Sequence, residues 1–219
     1  MKKITKIFAV LFAVMLVAIS LVACNGGKEY VFEAEEAELA EVCQVESGYE
    51  WGKGEMSDVE ATLVGYFTAA GTTITFRITS DKECDATLTL RAASACHNMM
   101  AAFGGEDLEI EEIDLSKNEC VKLTVNEQEA QLNGKLPGLT MTPPEGGLFG
   151  WMMDGTWGAM MKNCGTGTAK IHLVEGENVI VLTAQGYNGG QGGINVDKII
   201  IKANATLTWE PTDNSTPAQ

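Results

Sequence analysis

The chain has 219 residues, with 30 acidic side chains against 15 basic ones, a formal net charge of −15 and 45% hydrophobic residues. That balance excludes a nucleic-acid surface and disfavours polyanionic ligands unless a bound cation intervenes; polar neutral ligands fit better. The length suffices for one domain with a sizeable core and does not demand two.

Lys2, Lys3 and Lys6 precede an apolar run from Ile7 to about Val22. A positive segment followed by a hydrophobic one is the pattern of an export signal, although the run is also about as long as a short membrane-spanning helix. Leu21-Val22-Ala23-Cys24 decides between the two, because it resembles the lipobox of bacterial lipoproteins. The resemblance implies that residues 1–23 are a signal peptide and that Cys24 is lipidated. The domain is then extracytoplasmic and anchored to the cell membrane. Two acyl chains hold a protein durably, at about 0.8 kcal/mol per buried methylene, where one is marginal. Residues 24–29 are read as anchor and tether, with Asn25-Gly26-Gly27 supplying flexibility. Beyond Cys24 remain Cys43, Cys84, Cys96, Cys120 and Cys164. They allow two disulfides in a pairing that spacing does not fix, or serve as small buried hydrophobes. None has CxxC spacing, which argues against zinc.

From Tyr30 onward short β-type runs alternate with turn residues. The expected strands are Tyr30–Leu39, Ala61–Phe67, Thr72–Ile78, Ala86–Ala92, Leu108–Ile113, Val121–Val125, Ala169–Val174, Asn178–Thr183 and Ile194–Ile201. In Thr73–Ile78 and Ala86–Arg91 apolar and polar residues swap at every position, as on strands with one buried face. Gly71, Asn133-Gly134, Gly176 and Gly189-Gly190 fall between runs. Many short strands with turn signals predict an all-β fold, an antiparallel β-sandwich over residues 30–209. The stretch from about Asn126 to Gly167, rich in Gly, Pro, Trp and Met, breaks the rhythm and is expected to be a long loop insertion. The polar end from Glu210 to Gln219 reads as disordered.

Glu33 and Glu35 open the first expected strand, where period 2 sets both carboxylates on one face about 7 Å apart. Asn195 and Asp197 share a face of the last. If the first and last strands are neighbours, Glu33, Glu35 and Asp197 converge as hard oxygen ligands, which is calcium chemistry. Solvated acids on an edge strand are the plainer alternative.

Five motifs in order carry a family resemblance: FEAEEAEL (Phe32–Leu39), VGYF (Val64–Phe67), ATLTLRAA (Ala86–Ala93), VEGENVIVLTAQG (Val174–Gly186) and GGINVDKIII (Gly192–Ile201). Together they resemble carbohydrate-binding modules of families 6 and 35. The resemblance implies a galactose-binding-like jelly-roll sandwich with a structural calcium at Glu33, Glu35 and Asp197, away from the sugar site. It implies sugar contacts from a Tyr after the early Gly, a Trp before the strand preceding the GEN turn, and an Asn in the last loop. Tyr66 matches the first; Trp157 or Trp151 is nearest to the second; Asn195 and Asn188 compete for the third, with Tyr187 a further stacking candidate. Sugar recognition needs an aromatic face for the pyranose CH surface and amides or hydroxyls for its hydroxyl groups. The middle of the chain is longer than the family pattern.

Other constellations carry less. Met99-Met100, Met152-Met153 and Met160-Met161 with Cys96-His97 resemble soft copper ligands but suit gap-filling better. The acidic run from Glu106 to Asp114 alternates as a solvated strand would, and His97 and His172 lack a nucleophile motif. The sequence therefore predicts no enzyme. It predicts non-catalytic binding of a neutral glycan by a lipid-anchored, calcium-stabilised β-sandwich. The alternative is a surface protein-interaction or scaffold lipoprotein that has lost sugar binding, with the Trp- and Met-rich insertion as its interface.

Overall fold

The computed structural model describes residues 27–49, 61–67, 69–94, 107–110, 112–141, 164–186 and 193–214. The strands are β1 (Lys28–Glu33), β2 (Glu38–Leu39), β3 (Gln44–Tyr49), β4 (Ala61–Gly65), β5 (Thr73–Ser80), β6 (Cys84–Ser94), β7 (Leu108–Ile110), β8 (Ile113–Asp114), β9 (Val121–Val125), β10 (Gln128–Ala130), β11 (Asn133–Leu136), β12 (Leu139–Met141), β13 (Cys164–Leu173), β14 (Gly176–Ala184), β15 (Ile194–Ala203) and β16 (Leu207–Trp209). One sheet of eight strands runs β3-β4-β15-β6-β13-β11-β8, with β1 also on β15; a second of six runs β10-β9-β14-β5-β16, with β2 also on β5. The described pairings are antiparallel, as the alternation predicts. A small third sheet pairs β12 with β7.

Alternation decides which face each strand buries. Along β5, Ile74, Phe76 and Ile78 are buried while Thr73, Thr75, Arg77 and Thr79 are not; β14 and β6 repeat the pattern with Ile180, Leu182, Leu88 and Leu90. These two inner faces form one core with Phe32, Phe67, Val64 and Leu123. Each such side chain contributes about 1.5–3 kcal/mol on leaving water. Trp209 closes the rim, its ring 5.4 Å from that of Phe32 and edge-on to it.

Every expected strand has a counterpart, and three expectations are corrected. Tyr30–Leu39 is not one strand: a 3-10 turn, Ala34–Glu36, separates β1 from β2. Alanine and glutamate are poor strand formers, and nothing in that run resists the turn. The stretch 126–167 is not a loop throughout, because β10, β11, β12 and the first residues of β13 lie in it; residues 142–163 lie outside the described residues. The chain end is ordered further than expected, since residues 211–214 fold back on the 3-10 turn, where Thr212 N donates to Glu36 O at 2.7 Å. Cys43, Cys84, Cys120 and Cys164 carry free thiols, and burial pushes those of Cys43 and Cys120 up to about 11 and about 12.

Candidate functional site

Two places on the sandwich hold the expected site residues. The first forms where β15 bulges. Val196 pairs with Ala92 and Lys198 with Arg91, leaving Asp197 as an extra residue between them. A bulge sets two residues of one strand against one of the other and re-aims their side chains. Here Asp197 and Lys198 stand opposite Arg91, and the strict alternation that would give Asn195 and Asp197 a common face is broken. Arg91 Nη1 lies 3.0 Å from Asp197 Oδ2, with both side chains almost wholly buried. Removing either partner of such a pair leaves a buried charge, at a cost of about 3–5 kcal/mol. Lys198 Nζ is 3.1 Å from Glu33 Oε1, its neighbour across the β1–β15 ladder, and 3.8 Å from Asp197 Oδ2.

The 3-10 turn then carries Glu35 to the same cluster. Burial, reinforced by the charges of Glu33, Asp197 and Glu36, pushes its carboxyl up to about 7. Its Oε2 is buried and has no hydrogen-bond partner among the described residues. The carboxylates of Glu33 and Asp197 are thus paired with two cations, and the Glu35 oxygen is left orphaned. Among the described residues no three His, Cys, Asp or Glu side chains close to coordination distance. The acids stand as a charge cluster and not as a closed shell.

The second place is one end of the sandwich. β4 stops at Gly65, and Tyr66 takes a left-handed backbone at φ +58°. Its flanking residues Gly65 and Phe67 are buried, yet Tyr66 itself is 53% exposed. Left-handed geometry costs a non-glycine residue about 1 kcal/mol or more. Here it turns the chain so that Phe67 reaches the core while the tyrosine stays outside. Tyr66 is the only exposed aromatic among the residues whose burial is described. The surrounding backbone is stitched: Gly71 N donates to Ala184 O at 2.8 Å, Ala184 N to Thr72 O at 2.8 Å and Gln185 N to Cys120 O at 2.9 Å. Gly186, at φ +72°, approaches Ala70 so closely that a Cβ there would lie 3.1 Å from the Ala70 methyl.

Asn195, half-buried opposite Ala93, comes to the same end of the sheet. β14 ends, and β13 and β15 begin, at this end. Trp151, Trp157, Tyr187 and Asn188 lie outside the described residues, as does Cys24. Of the sugar candidates, Tyr66 and Asn195 fall within the described residues. Sequence reasoning missed Arg91 and Lys198, whose places on polar positions of alternating strands gave no sign of a buried network.

No protein-family model and no curated protein matches the chain. Solved structures do. One is a family 35 carbohydrate-binding module from Clostridium thermocellum, at 17% identity and a TM-score of 0.45 over 80% of this chain and 97% of that one. Another is the family 35 module of Cellvibrio japonicus Abf62, at 16% identity and a TM-score of 0.43 over 84% and 99% of the two chains. The likeness is to family 35 carbohydrate-binding modules. A module of that family also lies in the matched GH26-CBM35 β-(1,4)-mannanase of Podospora anserina, at 16% identity and a TM-score of 0.45, where the match takes in 83% of this chain but 29% of the longer enzyme. Family 35 is one of the two families that the motifs from Phe32 to Ile201 resemble.

Proposed function

We propose that this chain is a non-catalytic glycan-binding module, lipid-anchored through Cys24 on the outer side of a cell membrane. The observation that carries the reading is Tyr66, a ring 53% exposed between two buried residues at the end of the sandwich. A strained, solvent-facing aromatic at the end of a rigid sandwich suits stacking on the apolar face of a pyranose, with Asn195 at the same end of the sheet to read hydroxyls. Trp151, Trp157, Tyr187 and Asn188 are further candidates from the sequence motifs. Neutral glycans fit the acidic chain best. Shallow sites of this kind bind weakly, at roughly mM to μM, or about −4 to −8 kcal/mol.

The same reading gives Glu33, Glu35 and Asp197 a structural calcium. When bound, the ion supplies positive charge that joins the end of β1 to β15. The orphaned Glu35 oxygen supports it. The chain's own contribution is the bulge, which turns Asp197 into the cluster, and Lys198, which keeps Glu33 close by. The test is retention of the full chain on immobilised neutral and acidic polysaccharides. Retention on a neutral glycan that Tyr66→Ala abolishes, with an unchanged melt, is the expected result. A well-folded chain retained on no glycan would overturn the reading in favour of a protein-interaction surface.

A further inference from the structure

The sandwich takes up its chain at one end and leaves no slack there. Gly27 already lies against the sheet: a Cβ on it would sit 3.0 Å from Ala203 O, so its backbone meets the end of β15 at close range. From the next residue β1 is paired in unbroken register, Lys28 with Ala203 through Glu33 with Lys198. Tyr30 gives its hydroxyl to Ala205 O at 2.8 Å, and the Lys28 ammonium lies 4.7 Å from its ring centre. At this end residues 81–83 join β5 to β6, and residues 174 and 175 join β13 to β14. The Tyr66 turn is at the other end, since β4 meets β15 at Val196, near that strand's start.

Chain length then limits how far the β1-entry end can stand from a lipid on Cys24. Cys24 is three positions before Gly27. An extended chain gains at most about 3.6 Å per residue, so the tether reaches no further than about 11 Å. The sandwich is much longer than that. From Ala203 back to Ile194, β15 rises about 3.3 Å per residue, or about 30 Å in all. A tether of this length cannot carry the entry end across the height of the domain, so the domain cannot turn over. Lying flat is opposed by charge. Residues 28–39, which follow the tether, carry five glutamates against one lysine, on a chain of net charge −15. A bilayer bearing anionic lipid repels such a flank within a Debye length of about 8–10 Å.

We propose that the protein stands on its membrane with the β1-entry end toward the bilayer and the Tyr66 end outward, about 30 Å further from it. The inference rests on the lipid anchor at Cys24 proposed above. Lys28, the 81–83 turn and residues 202–206 then form the surface that faces the headgroups. A polysaccharide chain reaches Tyr66 from outside without entering the narrow gap between domain and bilayer. A site at the entry end would be shielded by the membrane itself.

The experiment places the full lipidated chain on vesicles of mixed neutral and anionic phospholipid. A bulky amine reagent that does not cross the bilayer is added, and each lysine is read by peptide mass. Lys28, Lys82 and Lys202 are exposed at the entry end, while Lys122 lies toward the other, opposite Thr183. The comparison is the same chain with about 20 Gly and Ser residues inserted between Gly26 and Gly27, which adds about 25 Å of mean reach. The expected result is several-fold less modification of Lys28, Lys82 and Lys202 in the parent than in the lengthened chain, with Lys122 alike in both. Equal modification of all these lysines in the two chains overturns the orientation and leaves the anchor standing. Protection of Lys122 alongside the other three, or in their place, means a flat or inverted domain and overturns it too. A Cys24 peptide without acyl mass overturns the anchor reading, and the orientation with it.

Discussion

The two ends of the sandwich are built on opposite plans. At the end where β1 enters, short turns join the strands: Asp81–Glu83 between β5 and β6, Val174 and Glu175 between β13 and β14, Asn126 and Glu127 between β9 and β10. Each is bonded shut. Asn178, fully buried, donates to Val174 O and Gly176 O and accepts from Val174 N and Asn126 Nδ2, all at 2.9–3.0 Å. Asn126 and Glu127 both have positive φ, as a two-residue hairpin of the primed type demands. Asp81 Oδ1 takes Thr206 N at 2.8 Å, and Tyr30 gives its hydroxyl to Ala205 O at 2.8 Å. The Tyr66 end has longer connections, and polar contacts there leave an aromatic ring facing solvent. A closed end makes a scaffold, and an open end on that scaffold is where a binding site can vary without unfolding the domain.

The largest way to break that contrast is to open the closed end. Asn178→Ala removes four hydrogen bonds and strands part-buried backbone groups of the β13–β14 turn, for a loss of about 2–3 kcal/mol. The melting temperature should fall by roughly 5–10 °C. Glycan retention, measured well below the melt, should survive, because the Tyr66 end does not share these bonds. If retention disappears while the fold remains, the two ends are coupled and the contrast is false.

Much of the closed end is readable in the sequence, and much of the open end is not. Strands such as Thr73–Ser80 and Cys84–Ser94 announce themselves because a half-buried sheet imposes a period of two on side-chain polarity. Gln44–Tyr49, Gln128–Ala130 and Asn133–Leu136 do not, since they are short, polar or glycine-bearing and owe their extension to a partner strand. The sequence does suggest first and last strands as neighbours, which sets Glu33 opposite Lys198. It misses the bulge and the turn. The bulge at Asp197 lies in the pairing of β15 with β6, which residue alternation does not announce, and the break after Glu33 goes with the burial of Ala34 and Ala37. Tyr66 is legible as a candidate but its left-handed backbone is not, because that angle follows from burying Gly65 and Phe67 together. Asn214, whose side-chain amide donates to Glu35 O and Ala37 O, has no local signature at all; its partners are nearly the length of the chain away.

The open end is sharpened by separating binding from stability at Tyr66. Tyr66→Gly deletes the ring but accepts φ +58° without strain, so relief of the backbone offsets glycine's greater entropy in the unfolded chain. Stability by urea unfolding should change by no more than about 0.5 kcal/mol, while glycan retention is lost. A binding residue and a packing residue differ on this point. Were Tyr66 there to pack, removing its ring would cost stability as well, and a loss above about 1 kcal/mol would reassign it to the fold.

The smallest expected effect returns to the closed end. His172 Nδ1 lies 2.9 Å from Asp85 Oδ1, its cross-strand neighbour, and Nε2 lies 3.1 Å from Glu83 Oε1. Both ring nitrogens can donate only as imidazolium, so the bond to Asp85 and the two carboxylate charges raise its pKa above the ordinary 6.5. A group whose folded pKa is raised lends stability that is complete below its unfolded value and is lost as pH rises through the folded one. The clasp between β13 and the turn before β6 is therefore present below about pH 6.5 and fades above it. All three side chains are exposed, so the energy is small, and the readout is the titration itself. The His172 ring resonances should titrate above 6.5, and Asp85→Asn should bring the midpoint back toward that value. A midpoint at or below 6.5 in the parent chain would mean the clasp is not made in solution and that this turn is closed without His172.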